Sequence, residues 1–544
     1  MKKLMVLGLT AALLAGFATP ATAAPSSPAP LAAAIRWHDC PQYSDEVLRF
    51  MFPTDRIPAF RELWARTECG TIQVPLDYRN PKGRQITVAL NRVRATDQAR
   101  RIGSMGFNPG GPGGSGYLMP INILFNPDMA RLNERYDLIG FDPRGVGYSS
   151  KMNCAPPGPF PEPQPGPLTE QEARQIYAAE VAFNQACGNT DPAFISQLTT
   201  VSVARDLDRI RAGLGERKLS FFGVSWGTWL GVVFRNLFPE RVGRMWLDST
   251  AIPGHRFDRF LNERTAAAER NASRFATWLA GFHAEYGFGT TREQVESALL
   301  GLQRDFDANP RRFTDLDFVF DAEFIALASG QDSPTWPLAA QVLKEIRDAI
   351  GPLAPPTVKE VLSGGPGGPP PAGLPDRFNQ TMGTAVFCNE DTGPRNDFAA
   401  AWAAYQRRLA DNPLIGAAMV PFTANCTGWP HEPQPVHLRR SNASVVLSGH
   451  LHEAPSPYQW TWETQLRVGG SVLTVDDDVH GSVPFAPGCV AKLLAYFDTG
   501  RAKTHDRCEG IPTPTATAPP SASGRSDPGA TLFRLQDREG RGRL

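Results

Sequence analysis

The segment Gly223-Val224-Ser225-Trp226-Gly227 restricts the possible folds of this chain more than any other. It follows the short apolar run Leu219–Phe222 directly and continues into Thr228–Phe238, which has helical spacing. A serine held between a strand and a helix, with glycine on either side, is the pattern of a nucleophile elbow. The turn there is sharp enough to lift the hydroxyl above the sheet, and the glycines let strand and helix approach. The five-residue pattern alone also fits an ordinary glycine-rich turn. Its strand-turn-helix setting selects the elbow.

An elbow needs a sheet beneath it. Thr71–Leu76 and Gln85–Arg92 read as a leading pair of strands. Ile102–Phe107, Tyr136–Phe141, Leu219–Phe222 and Met245–Leu247 are short apolar runs closed by turn-rich loops, as suits parallel strands buried on both faces. Val201–Leu214 has helical spacing, and Ser444–Leu447 and Ser471–Val475 are late strand candidates. The pattern predicts an α/β protein with a mostly parallel central sheet. Between Leu247 and Ser444 the texture changes: Phe260–Tyr286, Arg292–Phe306, Leu338–Ile350 and Asp397–Leu409 carry helical periodicity, and the run Gly364–Pro371 interrupts them as a mobile loop. The expected organisation is a signal peptide over 1–23, a first core part over 24–250 and a helical cap insertion over 251–442. A C-terminal core part over 443–510 carries the acid and the histidine, and 511–544 form a disordered Pro/Ala/Ser/Thr-rich tail.

The signal peptide rests on Lys2 and Lys3, the apolar stretch Leu4–Phe17 and the small-residue site Ala21-Thr22-Ala23. An exported protein, cleaved near Ala23 and then free of the membrane, is expected. Export suits the eight cysteines, whose four well-separated couples suggest the pairs Cys40–Cys69, Cys154–Cys187, Cys388–Cys426 and Cys489–Cys508. Lys+Arg and Asp+Glu stand at 55 each, so the formal net charge is zero. That balance argues against a nucleic-acid partner, which calls for a basic excess.

An elbow serine needs a base, and in sheets of this kind the acid and then the histidine follow it in the chain. His480, after the strand Ser471–Val475, is the expected base; His505 lies in a polar segment where no strand end is expected to place it. For the acid, Glu453 is the carboxylate in the loop after Ser444–Leu447, and Asp248 at the end of Met245–Leu247 is its rival. Asp476, Asp477 and Asp478 read as a solvated charge run. Asn108–Gly116 follows a strand and supplies the oxyanion hole through the N–H of Gly111, the second donor being the N–H of Trp226. The same loop spells a dinucleotide fingerprint, Gly111-x-Gly113-x-x-Gly116 with Asp142 ending the next strand. Pro112 removes a donor there, and that reading leaves the elbow unexplained. His450-x-His452-Glu453 with His480 lacks a further spaced ligand, so no metal and no cofactor are expected.

Further blocks carry a resemblance: Glu68-Cys69-Gly70, Val74–Tyr78, Asp142–Ser149, Phe238–Val242, Cys388-Asn389-Glu390-Asp391, Cys426–Pro430 and Ser456-Pro457-Tyr458. Together with the elbow and the glycine loop they resemble the secreted bacterial tripeptidyl aminopeptidases, α/β-hydrolases related to prolyl iminopeptidases. The resemblance spans most of Trp37–Cys508. It implies the α/β-hydrolase fold with an inserted, mainly helical cap, and removal of short peptides from free N-termini by a monomeric serine peptidase. It places Ser225 as nucleophile and His480 as base. An aspartate of the family falls at Glu453, three residues before Ser456. Glu for Asp, Trp226 for Tyr and Val479 for Gly are departures that bear on substrate range. The family block points to Glu390 or Asp391 as the anchor for the substrate ammonium; either is equally well read as a helix-capping acid. A secreted carboxylesterase with the same triad is the alternative.

Overall fold

The apolar runs become the inner strands of one sheet. In chain order the strands are β1 (Arg36–His38), β2 (Thr67–Pro75), β3 (Gln85–Val93), β4 (Gly103–Asn108), β5 (Tyr136–Phe141), β6 (Leu219–Val224) and β7 (Val242–Asp248). A separate two-stranded ribbon follows, β8 (Arg311–Arg312) with β9 (Val319–Phe320), and then β10 (Val446–His450), β11 (Ser471–Asp476) and β12 (His505–Glu509). The computed structural model describes residues 34–515 except 165, 364–369, 420 and 421. The signal peptide, most of the Gly364–Pro371 run and nearly all of the 511–544 tail lie outside the described residues.

The ten-stranded sheet has the order β1-β2-β3-β5-β4-β6-β7-β10-β11-β12. From β5 to β12 every neighbouring pair is parallel, while β1, β2, β3 and β5 pair antiparallel. This is the mostly parallel sheet of an α/β-hydrolase. β4 and β5 are buried at every residue because apolar clusters cover both faces of the sheet. The chain steps to one side from β4 to β5 and crosses back past β4 from β5 to β6, and in such sheets a crevice opens at the carboxyl ends of the strands. Asn108 at the end of β4 stands level with Gly223 in β6, so the glycine loop and the elbow emerge side by side.

One apolar cluster, with Leu207, Phe221, Leu230 and Val233, lies on one face of the sheet. Another, with Phe107, Trp246, Leu493 and Phe497, lies on the other. The interval between β7 and β10 contributes to more than one core. Phe275, Leu299, Phe320, Trp336 and Leu343 form a cluster of their own, whereas helix Gln380–Glu390 puts Met382, Val386 and Phe387 into the first sheet core.

Four disulfides, Cys40–Cys69, Cys154–Cys187, Cys388–Cys426 and Cys489–Cys508, join the cysteines. Three of them hold helices that the sequence reading passed over: Cys187 lies in Glu170–Thr190, Cys388 in Gln380–Glu390 and Cys489 in Pro487–Thr499. β12 is a correction, since His505 opens a strand. Its sequence His-Asp-Arg-Cys-Glu is polar because it lies at the sheet edge, with β11 as its one strand neighbour and only Cys508 buried.

Candidate active site

Ser225 sits at φ 58°, ψ −128°, between β6 and helix Trp226–Leu237. A non-glycine residue there stores about 1–3 kcal/mol of strain, so its surroundings must hold it. The Ser225 N–H donates to the Asp248 carbonyl (3.1 Å), and Thr228 Oγ1 donates to the Ser225 carbonyl (2.7 Å). The flanking glycines are forced by contact: a Cβ on Gly223 would stand 2.4 Å from the Gly227 oxygen, and one on Gly227 2.4 Å from the Asn108 oxygen.

The loop after β4 lies over this turn. Gly110 is close enough that an added Cβ would lie 2.8 Å from Ser225 Cβ and 3.0 Å from the Trp226 nitrogen. Gly111 therefore follows at the mouth of the elbow. The loop is fastened at both ends. Asn108 Oδ1 accepts from the Gly110 N–H (3.0 Å), and Ser115 Oγ donates to Asp142 Oδ1 (2.5 Å). Asp142 also accepts from the Tyr148 N–H (2.8 Å), and burial pushes its carboxyl up to about 6. It is an internal anchor for the glycine loop, a role the sequence reading did not give it.

Glu453 is buried in the loop after β10. Its Oε1 lies 3.5 Å from His480 Nδ1, and neither atom has a hydrogen-bond partner elsewhere among the described residues. Its Oε2 accepts from Ser249 Oγ (2.6 Å), which in turn accepts from the Gly481 N–H (2.8 Å). Ser249, itself at φ 52°, thus ties the acid to the loop of the histidine. Gly481 packs against Val224, where an added Cβ would lie 2.9 Å from its Cγ1, so that loop rests on the elbow. The structure brings Ser225, Glu453 and His480 to one place.

Asp248, the rival acid, is engaged elsewhere. It accepts from Ser448 Oγ (2.6 Å), from His450 Nε2 (3.0 Å) and from the Val483 N–H (3.2 Å). On its other side His450 meets Asp477 through Nδ1 (2.6 Å). Ionised carboxylates only accept, so both ring nitrogens donate and His450 is an imidazolium. Burial opposes that charge, but Asp248 and Glu453 outweigh it and hold the imidazole well above its ordinary value. The aspartate run is a second correction. Asp477 and Asp478 are buried, and Asp478 accepts from the Ser333 hydroxyl (2.7 Å) and pairs with Arg274 (3.0 Å). Asp476 alone of the three keeps substantial exposure, paired with Arg507.

Glu390 and Asp391 lie apart from this group. Glu390 accepts from the Thr200 N–H (2.5 Å) and Trp229 Nε1 (3.1 Å) and lies 3.0 Å from His255 Nδ1. Asp391 accepts from the Phe257 N–H (2.9 Å) at the start of helix Phe257–Ala280 and pairs with Arg395. Both are buried and hydrogen-bonded within the fold.

Comparison with known sequences agrees with this fold. The pattern of the alpha/beta hydrolase fold matches residues 105–328, and that of a TAP-like protein matches residues 412–509. A tripeptidyl aminopeptidase of Streptomyces lividans is 32% identical over 461 residues, 81% of this chain and 83% of that protein. Carboxylesterase B of Mycobacterium tuberculosis is 26% identical over 494 residues, 79% of this chain and 84% of that protein. Serine protease Hip1 of the same organism is 37% identical over 190 residues, 34% of this chain and 36% of that protein. With the elbow serine in place and a relative of this identity along most of its length, the chain belongs to the tripeptidyl aminopeptidase family of α/β-hydrolases.

Proposed function

We propose that the protein is a secreted serine exopeptidase that releases short peptides, tripeptides foremost, from free N-termini. The observation that carries the reading is the approach of Glu453 to His480 on a loop resting against the elbow of Ser225. In the first half-reaction Ser225 Oγ attacks the scissile carbonyl while His480 takes its proton. The C–N bond then breaks as His480 hands that proton to the leaving amine, and an acyl-enzyme remains. Water repeats the sequence and frees the N-terminal fragment. Glu453 holds the imidazole in the productive tautomer and stabilises its charged form. The N–H groups of Gly111 and Trp226 are assigned to the oxyanion, where two preset donors cost no reorganisation as charge develops.

The interval 251–442 is assigned as the cap, supported by its insertion between the neighbouring strands β7 and β10. The N-terminal sequence and the four disulfides support export, and no helix among the described residues is long and apolar enough to cross a membrane. A fluorophosphonate probe should label Ser225 in the wild-type protein and not in Ser225→Ala; equal labelling would sink the assignment. The esterase reading is favoured by the carboxylesterase relative, whose likeness also spans most of the chain. Free and N-acetylated tripeptide p-nitroanilides, run beside p-nitrophenyl butyrate, separate the two. Preference for the free amine supports the exopeptidase, and indifference to acetylation with fast ester turnover supports the esterase.

A further inference from the structure

A small cavity, partly open to solvent, lies where helix Glu170–Thr190 meets helix Gln380–Glu390. Phe160, Phe183, Phe257 and Phe387 line it, together with Glu180 and Asn425. Glu180 is 8% exposed. Thr423 Oγ1 (2.9 Å) and the Ala424 N–H (2.5 Å) both donate to its Oε2, which leaves Oε1 for the cavity. Asn425 Oδ1 is buried and has no hydrogen-bond partner among the described residues. Burial pushes the Glu180 carboxyl up to about 7, as befits an acid short of positive charge.

We propose that this cavity receives the α-ammonium of the peptide substrate, with Glu180 as its counter-charge and the phenylalanine rings around it. The proposal rests on the exopeptidase reading and names the group that sets the length of the released fragment. The chemistry fits a cation. A carboxylate and an amide oxygen supply acceptors, and aromatic faces attract an ammonium through their quadrupoles. An anionic occupant would be repelled by the ionised acid, and a neutral one would leave that form uncompensated.

The reach fits as well. The start of helix Gln380–Glu390 is seated on the oxyanion loop: the Asn379 N–H donates to the Gly113 carbonyl (2.9 Å), and Gly383 faces the Pro112 oxygen. Phe387 and Cys388 lie four to five residues beyond Gly383, about 6–8 Å along the axis at 1.5 Å per residue. An extended tripeptide places its amine about 10 Å from the scissile carbonyl at some 3.3 Å per residue. The stretch of helix that lines the cavity thus starts closer to the oxyanion loop than an extended tripeptide is long.

The test measures the ratio of kcat/KM for free against N-acetylated Ala-Ala-Ala p-nitroanilide in the wild type, in Glu180→Gln and in Phe183→Leu. Glutamine keeps an acceptor for Thr423 and Ala424 but removes the charge. The expected result is a fall in the ratio of tenfold or more for Glu180→Gln, carried by KM for the free substrate, and a smaller fall for Phe183→Leu. Structural damage would lower both substrates in parallel, so a ratio unchanged in both variants overturns the proposal. If Glu180→Gln does not fold, Phe183→Leu and titration of Ser225→Ala with free and acetylated Ala-Ala-Ala amide decide the matter. Equal affinity for the two amides overturns the ammonium site. A wild type indifferent to acetylation fails at the exopeptidase reading instead, before any cavity variant is made.

Discussion

His450 and His480 stand on either side of Glu453, 4.0 and 3.5 Å from its carboxylate oxygens, but their settings differ. His450 is wholly enclosed, with a carboxylate on each ring nitrogen. The side chain of His480 is 27% exposed and has a carboxylate on Nδ1. An imidazole shuttles protons near neutral pH only if its charged and neutral forms are close in energy. Two buried carboxylates remove that balance, so the histidine with more acid around it is the less suited to catalysis. His450 instead acts as a fixed cation between Asp248 and Asp477 and adds a positive charge beside Glu453.

The largest effects should separate the two histidines. His480→Ala should lower kcat by about 10⁴, as should Ser225→Ala, with urea unfolding close to wild type. His450→Gln should instead cost about 3–5 kcal/mol of stability, since it strands two buried carboxylates. A His450→Gln protein as stable as wild type but equally inactive would erase the distinction.

Next come the acids. Glu453→Gln should cost about 10³–10⁴ in kcat through a misoriented imidazole, whereas Asp248→Asn should act chiefly on the unfolding midpoint. The reverse ranking would move the triad to the earlier strand.

The pH dependence of stability sharpens the comparison further. The folded value of His450 is raised, so its contribution is complete below the ordinary histidine value of about 6.5 and fades as pH climbs through the folded one. Asp477 is buried, which alone would raise it, but its bond to His450 holds it below the usual carboxylate range. Its contribution is present above about pH 4 and is lost as pH falls through the folded value. The stability gap between wild type and His450→Gln should therefore narrow in alkaline solution; a gap constant from pH 6 to 10 would refute the buried imidazolium. The smallest effect belongs to Ser249→Ala, which removes the hydroxyl linking Glu453 to the Gly481 N–H. About tenfold in kcat is expected, with KM little changed.

The elbow and the inner strands were legible because their signals are local: Gly223–Gly227 follows its strand directly, and β4 to β7 each carry apolar residues just before a turn-rich loop. The loop that sets Glu453 beside His480 was legible by its place after a strand. The partners of His450 were not, because Asp477 and Asp478 look like solvent-facing acids until Arg274, Ser333 and His450 arrive from distant parts of the chain. β1 and β12 escaped notice for the reason edge strands do: with sheet on one side only, they need little apolar patterning. Helix Glu170–Thr190 did leave a signal that was missed. Thr169 and Glu172 form a capping box, visible as Thr-x-x-Glu after the proline-rich stretch.

The neighbours β7 and β10 are separated by about 200 residues of chain. At about 5–20 residues per second of synthesis, the ribosome makes the nucleophile some 10–40 s before the strand that leads to Glu453, and His480 later still. With the proposed triad, the nascent chain has an elbow without a base until β10 and β11 dock. Hydrolytic competence thus arrives with the last strands of the sheet, and a chain cut short at any earlier point is an inert peptidase.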